Sequence, residues 1–291
     1  MQTLLILWRQ SVSQHKEQLG FVTFAVNTPE TNYLEIAYLQ ALNVKATQTN
    51  NKYAVIVDAN TAQLVEEKHR NVFDYIIECT PTKNPFGVEP QVAYLTPFKE
   101  TIKLESDLLF TRSIDHWINA FRLKDVCLSS GAKTYLGQAG TVRKYRELLD
   151  KNNLPDVYNG LMYFRYTQTA IDFFRLADLL FQNWDDVKLS LKNCDDDAST
   201  DVVYSLAAQI MGTDLVTMPG IDFLNFVHMK AGFQGWSDAR SWLDTVITER
   251  DGDMIRVNNL NQYFPVHYQD KNYATQELIK YYESRRTSIL E

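Results

Sequence analysis

Glu105, Ser106 and Asp107 stand between the apolar runs "TIKL" and "LLF", so two carboxylates one residue apart interrupt otherwise core-forming sequence. On an extended chain, residues i and i+2 project to the same side. Two oxygen ligands aimed at one point suit a hard divalent cation such as Mn²⁺ or Mg²⁺. The plainer reading is that a strand has ended and the acids cap the following "SIDHWINAF" helix or face solvent. Other reactive groups lie downstream. His228 follows the apolar "IDFLNFV", a setting that suits either a packed core histidine or a metal ligand. Asp197 and Asp201 flank the start of "TDVVYSLAAQIMG", where Ser199, Thr200 and Asp201 are also good helix-capping types. Asn159-Gly160 is by itself a turn signal. Nucleophilic machinery is not evident: "LSSG" (128–131) is not a nucleophile elbow, and no histidine is near Cys79, Cys127 or Cys194 in sequence.

These residues need a frame. "GFVTFAV" (20–26) is a β-rich run closed by the breaker "NTPETN", and "YLEIAYLQALNVKA" places Leu34, Tyr38, Ala41 and Leu42 at helical spacing. "KYAVIVDAN" reads as a second buried strand, "TAQLVEEKHR" as a helix and "FDYIIECT" as a third strand. The strands are continuously apolar rather than alternating, which predicts a mainly parallel α/β sheet with helices on both faces. "TIKL" is the next strand, so the carboxylates fall at its carboxyl end, where open α/β sheets bind ligands. "YNGLMYFR" (158–165) reads as a strand, "TAIDFFRLADLLFQNW" and "TDVVYSLAAQIMG" as helices, and "NYATQELIKYYESRRTSILE" as a final helix. No linker rich in Gly, Pro or Ser divides the chain. It reads as one domain: an extension over 1–19, a first half over 20–110, a second over 111–240 and a helical segment over 241–291.

Within that frame, "LTPFKETIKLESDLLF" resembles the segment around the Asp-x-Asp motif of GT-A (Rossmann-like) glycosyltransferases, especially the glycogenin and galactosyltransferase-like group, with Glu105 in place of the first Asp. "FVTFAVNTPETNYLEIAYLQALNVKATQTNNKYAVIV" is similar to that family's first strand, nucleotide-contacting turn, helix and second strand. "VYNGLMYFR" is similar to its Asn-x-Gly segment, and "VHMKAGFQGW" to its late His-x-x-Gly motif. The resemblance implies a UDP-sugar donor and a metal held by Glu105, Asp107 and His228. It implies nucleotide contacts from Phe24, Val26, Asn27, Tyr33 and Ser106, with Tyr33 stacking on the base and Asn27 bonding base or ribose. It puts Asn159 near the donor sugar, Gly160 at a close backbone approach, Gly232 by the phosphates and Trp236 in the pocket wall. The family's phosphate-binding lysine is missing from its place, and Lys230 is the nearest substitute. Asp201 or Asp197 would serve the sugar and acceptor.

Several stretches also resemble glycosyltransferases of T-even-type bacteriophages, which implies transfer of glucose or a pentose such as arabinose to hydroxymethylated cytosine in DNA, or to a sugar already on it. Composition lends this little. The 291 residues carry a net charge of -7, and the basic clusters Arg143, Lys144, Arg146 and Arg285, Arg286 are as readily solvated helix faces as phosphate contacts. A cell-surface or lipid-linked glycan is the other acceptor to weigh, and a nucleotide-sugar-binding protein with weak catalysis the other class. Three widely spaced cysteines suggest a reducing compartment. The apolar run at 3–8 is too short for a membrane span and a poor secretion signal, so a cytoplasmic location is expected.

Overall fold

The computed structural model describes residues 17–140, 143–194, 197–218, 224–237 and 240–290. Its centre is a six-stranded sheet: β1 (Glu17–Phe24), β2 (Tyr53–Val57), β3 (Tyr75–Glu78), β4 (Phe98–Leu104), β5 (Val126–Ser130) and β6 (Val157–Arg165). The spatial order is β3-β2-β1-β4-β6-β5. β1 to β4 are mutually parallel, and β6 runs antiparallel to both β4 and β5.

Both faces of the sheet are covered, which explains the unbroken apolar runs. Phe21, Tyr53, Val55 and Ile102 point into one core; Val22, Ala54, Ile56 and Phe98 point into the other. The first core is filled by α1 (Tyr33–Thr47), α2 (Asp115–Phe121) and α6 (Gln276–Leu290). The second is filled by α4 (Gln168–Gln182) and α5 (Thr200–Met211), with α3 (Arg143–Asn152) beside them. Helix starts follow local chemistry. Asn32 caps α1 by accepting from Glu35 N, and Thr167 caps α4 by accepting from Ala170 N. Gly212, at φ 100°, follows α5 in a conformation that disfavours other residues.

The chain leaves β1 toward β2 and β3 on one side and returns as β4 on the other. The switch point between β1 and β4 opens a crevice at their carboxyl ends. Thr23 Oγ1 donates to Leu104 O at 2.8 Å and closes the sheet just below it.

Several expectations change. β1 starts at Glu17, inside the expected extension; residues 1–16 lie outside the described ones. "TAQLVEEKHR" forms two single turns, Ala59–Ala62 and Glu67–Arg70, because Glu66 N donates to His69 Nδ1 and starts a second helix. The 241–291 segment is helical mainly in α6. Before it, strands Thr248–Asp251, Met254–Val257 and Leu260–Gln262 form a meander turning at Gly252 (φ 61°), Asn258 (φ 45°) and Asn259 (φ 67°). The Asp-Gly and Asn-Asn pairs are the turn signals that mark it. A second small sheet joins Leu108–Leu109, Val266–His267, Val227–His228, Ala132–Lys133 and Ala139–Gly140.

Candidate active site at the sheet edge

Glu105, Ser106 and Asp107 form a turn between β4 and the strand Leu108–Leu109 rather than a continuation of β4. Gln40, buried on α1, fixes that turn from below. Its Nε2 donates to Glu105 O (2.6 Å) and Leu108 O (2.7 Å), while its Oε1 accepts from Tyr53 Oη (2.6 Å). Glu105 N donates to Gly160 O at 3.0 Å, tying the turn to β6.

The turn aims both carboxylates at one imidazole, that of His267. Its Nε2 lies 3.1 Å from Glu105 Oε2 and 3.0 Å from Asp107 Oδ2. The small sheet makes this meeting, since His267 pairs with Leu108 across an antiparallel ladder. One ligand atom from each of Glu105, Asp107 and His267 lies within 4.8 Å of the others. His228 occupies the adjacent strand in register with His267, and the two rings stack at 4.6 Å. His228 therefore backs the histidine that meets the carboxylates, and its buried Nδ1 has no hydrogen-bond partner.

Charges around the turn are strongly coupled. Asp107 is 5% exposed and also pairs with Lys271 Nζ. Burial opposes its charge, but His267 and Lys271 outweigh that and hold the carboxyl well below its ordinary range. Burial likewise opposes a charged His267, yet Asp107 and Glu105 raise its pKa above the usual histidine value. Burial and the His267 charge push His228 the other way, toward the neutral ring.

A cleft of about 640 Å³ opens over the turn. Phe24, Val26, Tyr33, Asp58 and Glu89 line it together with Ser106, Asp201, His228, Lys230 and Lys271. Lys271 Nζ sits 5.4 Å from the centre of the Tyr33 ring. Asn159 lies behind the turn, its N donating to Asp201 Oδ1 (2.8 Å) and its Oδ1 accepting from Lys103 Nζ (2.8 Å). Asp201 thus binds α5 to β6 instead of capping its own helix. Burial and the neighbouring Glu105 raise its pKa above the ordinary carboxylate value.

Other expected contacts fall elsewhere. Asn27 is occupied locally: its Oδ1 accepts from Leu34 N and its Nδ2 donates to Asn32 Oδ1. Gly160 makes room for a neighbour, since a Cβ there would meet the Phe226 ring at 2.7 Å. Asp197 is exposed, and neither it nor Gly232 lines the cleft. Trp236 packs on Tyr135 at 5.7 Å rather than on the cleft wall. Local sequence spacing alone does not single out His267, Lys271 or Glu89, which also line the cleft. The signal available for the first two was a His-x-x-x-Lys spacing inside "PVHYQDKNY", with Gln269 between them at φ 59°.

No family model matches the chain, and no curated protein matches it. Among solved structures, the chain overlaps the apo form of the glycosyltransferase GlyE of Streptococcus pneumoniae TIGR4 with a TM-score of 0.48 at 10% identity, over 92% of this chain and 60% of that one. Mouse xyloside xylosyltransferase 1 overlaps with a TM-score of 0.43 at 8% identity, over 69% and 84%. A 4-diphosphocytidyl-2C-methyl-D-erythritol synthase from Anaerococcus prevotii overlaps with a TM-score of 0.37 at 10% identity, over 72% and 91%. The chain spans less than two thirds of GlyE's length, and overlaps this shallow carry no conclusion about its activity.

Proposed function

We propose that the protein is a GT-A-type glycosyltransferase that moves a sugar from a UDP-sugar to an acceptor hydroxyl with the help of Mn²⁺ or Mg²⁺. The observation that carries this reading is the convergence of Glu105, Asp107 and His267 in a cleft at the switch point of an α/β sheet, with Lys271 and Tyr33 alongside. The two carboxylates fit either ion, the imidazole favours Mn²⁺ over Mg²⁺, and the unpartnered Nδ1 of His228 marks further polar capacity next to them. Glu105, Asp107 and His267 would hold the ion, which when bound supplies positive charge to a diphosphate leaving group.

The rest follows from the chain's own side chains. Tyr33 offers a face for the base, and the Asp58 carboxylate can accept from base N–H or ribose hydroxyl. Lys271, paired with Asp107, would release it and pair with the diphosphate, assisted by Lys230. As the bond between the anomeric carbon and the diphosphate breaks, the acceptor oxygen bonds to that carbon and gives up its proton. Asp201, held by Asn159, would receive it or stabilise positive charge on the sugar.

For the acceptor, hydroxymethylated cytosine in DNA, or its sugar, is supported by the sequence resemblance alone. Arg146 pairs with Asp150 at 2.8 Å, Arg285 with Asp253 at 3.0 Å, and Arg286 donates to Asn71 O, so these arginines are already engaged. The side chains of Arg143 and Lys144 lie outside the described residues. Among those residues, no helix is long and apolar enough to cross a membrane.

The test is UDP-sugar hydrolysis with and without Mn²⁺. A metal-dependent rate that Asp107→Ala reduces at least a hundredfold is expected, and a robust rate indifferent to both would sink the assignment.

A further inference from the structure

Lys103 is the one lysine among the largest fully buried side chains, with its side chain 1% exposed in the middle of the central sheet. Its ammonium lies 2.6 Å from Oε2 of Glu89, which comes from the 3-10 segment Pro85–Gln91 and is 14% exposed. Oε2 itself is closed off from solvent against the Lys103 ammonium, so the remaining surface of Glu89 is what the side chain presents to the cleft. Withdrawing two opposite charges from water costs several kcal/mol per ion, and a hydrophobic pair of similar volume is often as stable. A core strand does not need this pair, whereas a binding cleft has use for a carboxylate held in one place.

The position of Glu89 says what it would read. From the carboxylate turn, Lys271 and Tyr33 lie one way, toward a nucleotide. The other way, Lys103 bridges Glu89 to Asn159, whose N is bonded to Asp201. Asn159 Nδ2 lies 3.5 Å from Glu105 Oε1, so Glu89, Asn159 and Asp201 form a linked group on the Glu105 side of the turn, whereas Lys271 and Tyr33 stand at Asp107. A diphosphate seated between Lys271 and the turn would carry its second substituent there.

Resting on the UDP-sugar reading above, we infer that Glu89, braced by Lys103, is a specificity-determining residue that binds hydroxyls of the donor sugar. The chemistry is that of a fixed acceptor: a buried carboxylate rewards a ligand that brings hydroxyl donors and penalises one that leaves it unpaired. Lys103 is a positioning residue, since it acts through Glu89 and Asn159 and does not line the cleft.

The experiment compares the affinities of UDP and UDP-glucose, and of UDP and a UDP-pentose, by calorimetry with Mn²⁺ present. The variants are Glu89→Met and Glu89→Met/Lys103→Met. The double variant removes both charges together, so the fold does not have to keep an unpaired buried ammonium; melting without ligand checks that it is folded. The expected result is an unchanged affinity for UDP, within about twofold, and a loss of about tenfold for the preferred UDP-sugar, the size of one hydrogen bond to a charged group. Equal losses for UDP and UDP-sugar would assign the pair a structural role and overturn the inference, as would retention of the full preference in both variants. Absence of UDP binding by the wild-type protein would instead remove the donor reading, and this assignment with it.

Discussion

Gln40 explains how two acids at the end of a core strand come to share one imidazole. It satisfies the carbonyls of Glu105 and Leu108 at once, so the turn between them has little freedom to open. Gln40→Leu should destabilise the fold by about 2 kcal/mol, the cost of leaving buried carbonyls unpaired, and should weaken Mn²⁺ binding by misplacing Glu105. Urea unfolding and the electron paramagnetic resonance signal of free Mn²⁺ measure the two effects. The histidines make a sharper comparison. His267→Ala should weaken Mn²⁺ binding more than His228→Ala, because only His267 contacts both carboxylates. The opposite order in the same titration would put His228 in the ligand set. Sequence exposed Glu105 and Asp107 because their proximity is local. It did not expose His267, which reaches them through a strand pairing more than 150 residues away.

Asp74 does for the β2–β3 edge what Gln40 does for the turn. It accepts from Tyr53 N at the start of β2 and pairs with Lys45 in the last turn of α1 and with Lys52. Burial alone would raise its pKa, but Lys45, Tyr53 N and Lys52 bring it below the ordinary aspartate value. A carboxyl whose folded pKa is depressed stabilises the fold above its unfolded pKa, and that contribution fades as pH falls toward the folded value. Asp74→Asn should therefore cost about 1 kcal/mol at pH 7, allowing for solvent screening. The gap between variant and wild type should begin to narrow below about pH 4 and close only below the folded pKa, as seen in denaturant midpoints across pH. The elements themselves were largely legible: the strands and long helices follow apolar period and caps. The meander over 248–262 was not read, although Asp-Gly and Asn-Asn turns flag it, because its edge strands carry mixed polar residues with weak alternation.

The two cores share the central sheet, and the cleft lies at that sheet's edge, so occupancy of the cleft should be felt by the whole molecule. UDP with Mn²⁺ at about a hundredfold excess over the dissociation constant should stabilise the fold by about 2.7 kcal/mol. A thermal-shift panel of nucleotide-sugars would show the preferred donor as the largest rise in melting temperature. Retention on duplex DNA tests the acceptor: binding whose logarithm falls linearly with the logarithm of salt is the expected signature. No retention at low salt would turn the search toward glycan acceptors.

Sequence by itself determined the α/β sheet, its burial on both faces and the placement of Glu105 and Asp107 at a strand's carboxyl end. Those features depend on periodicity and near neighbours, which the order of residues records directly. Only the tertiary structure decided that His267 rather than His228 faces the carboxylates, that Lys271 stands beside them and that Glu89 reaches the cleft on a buried lysine. Each of these depends on which distant strands pair and which side chains a folded core leaves facing a cleft, and neither is written in local spacing.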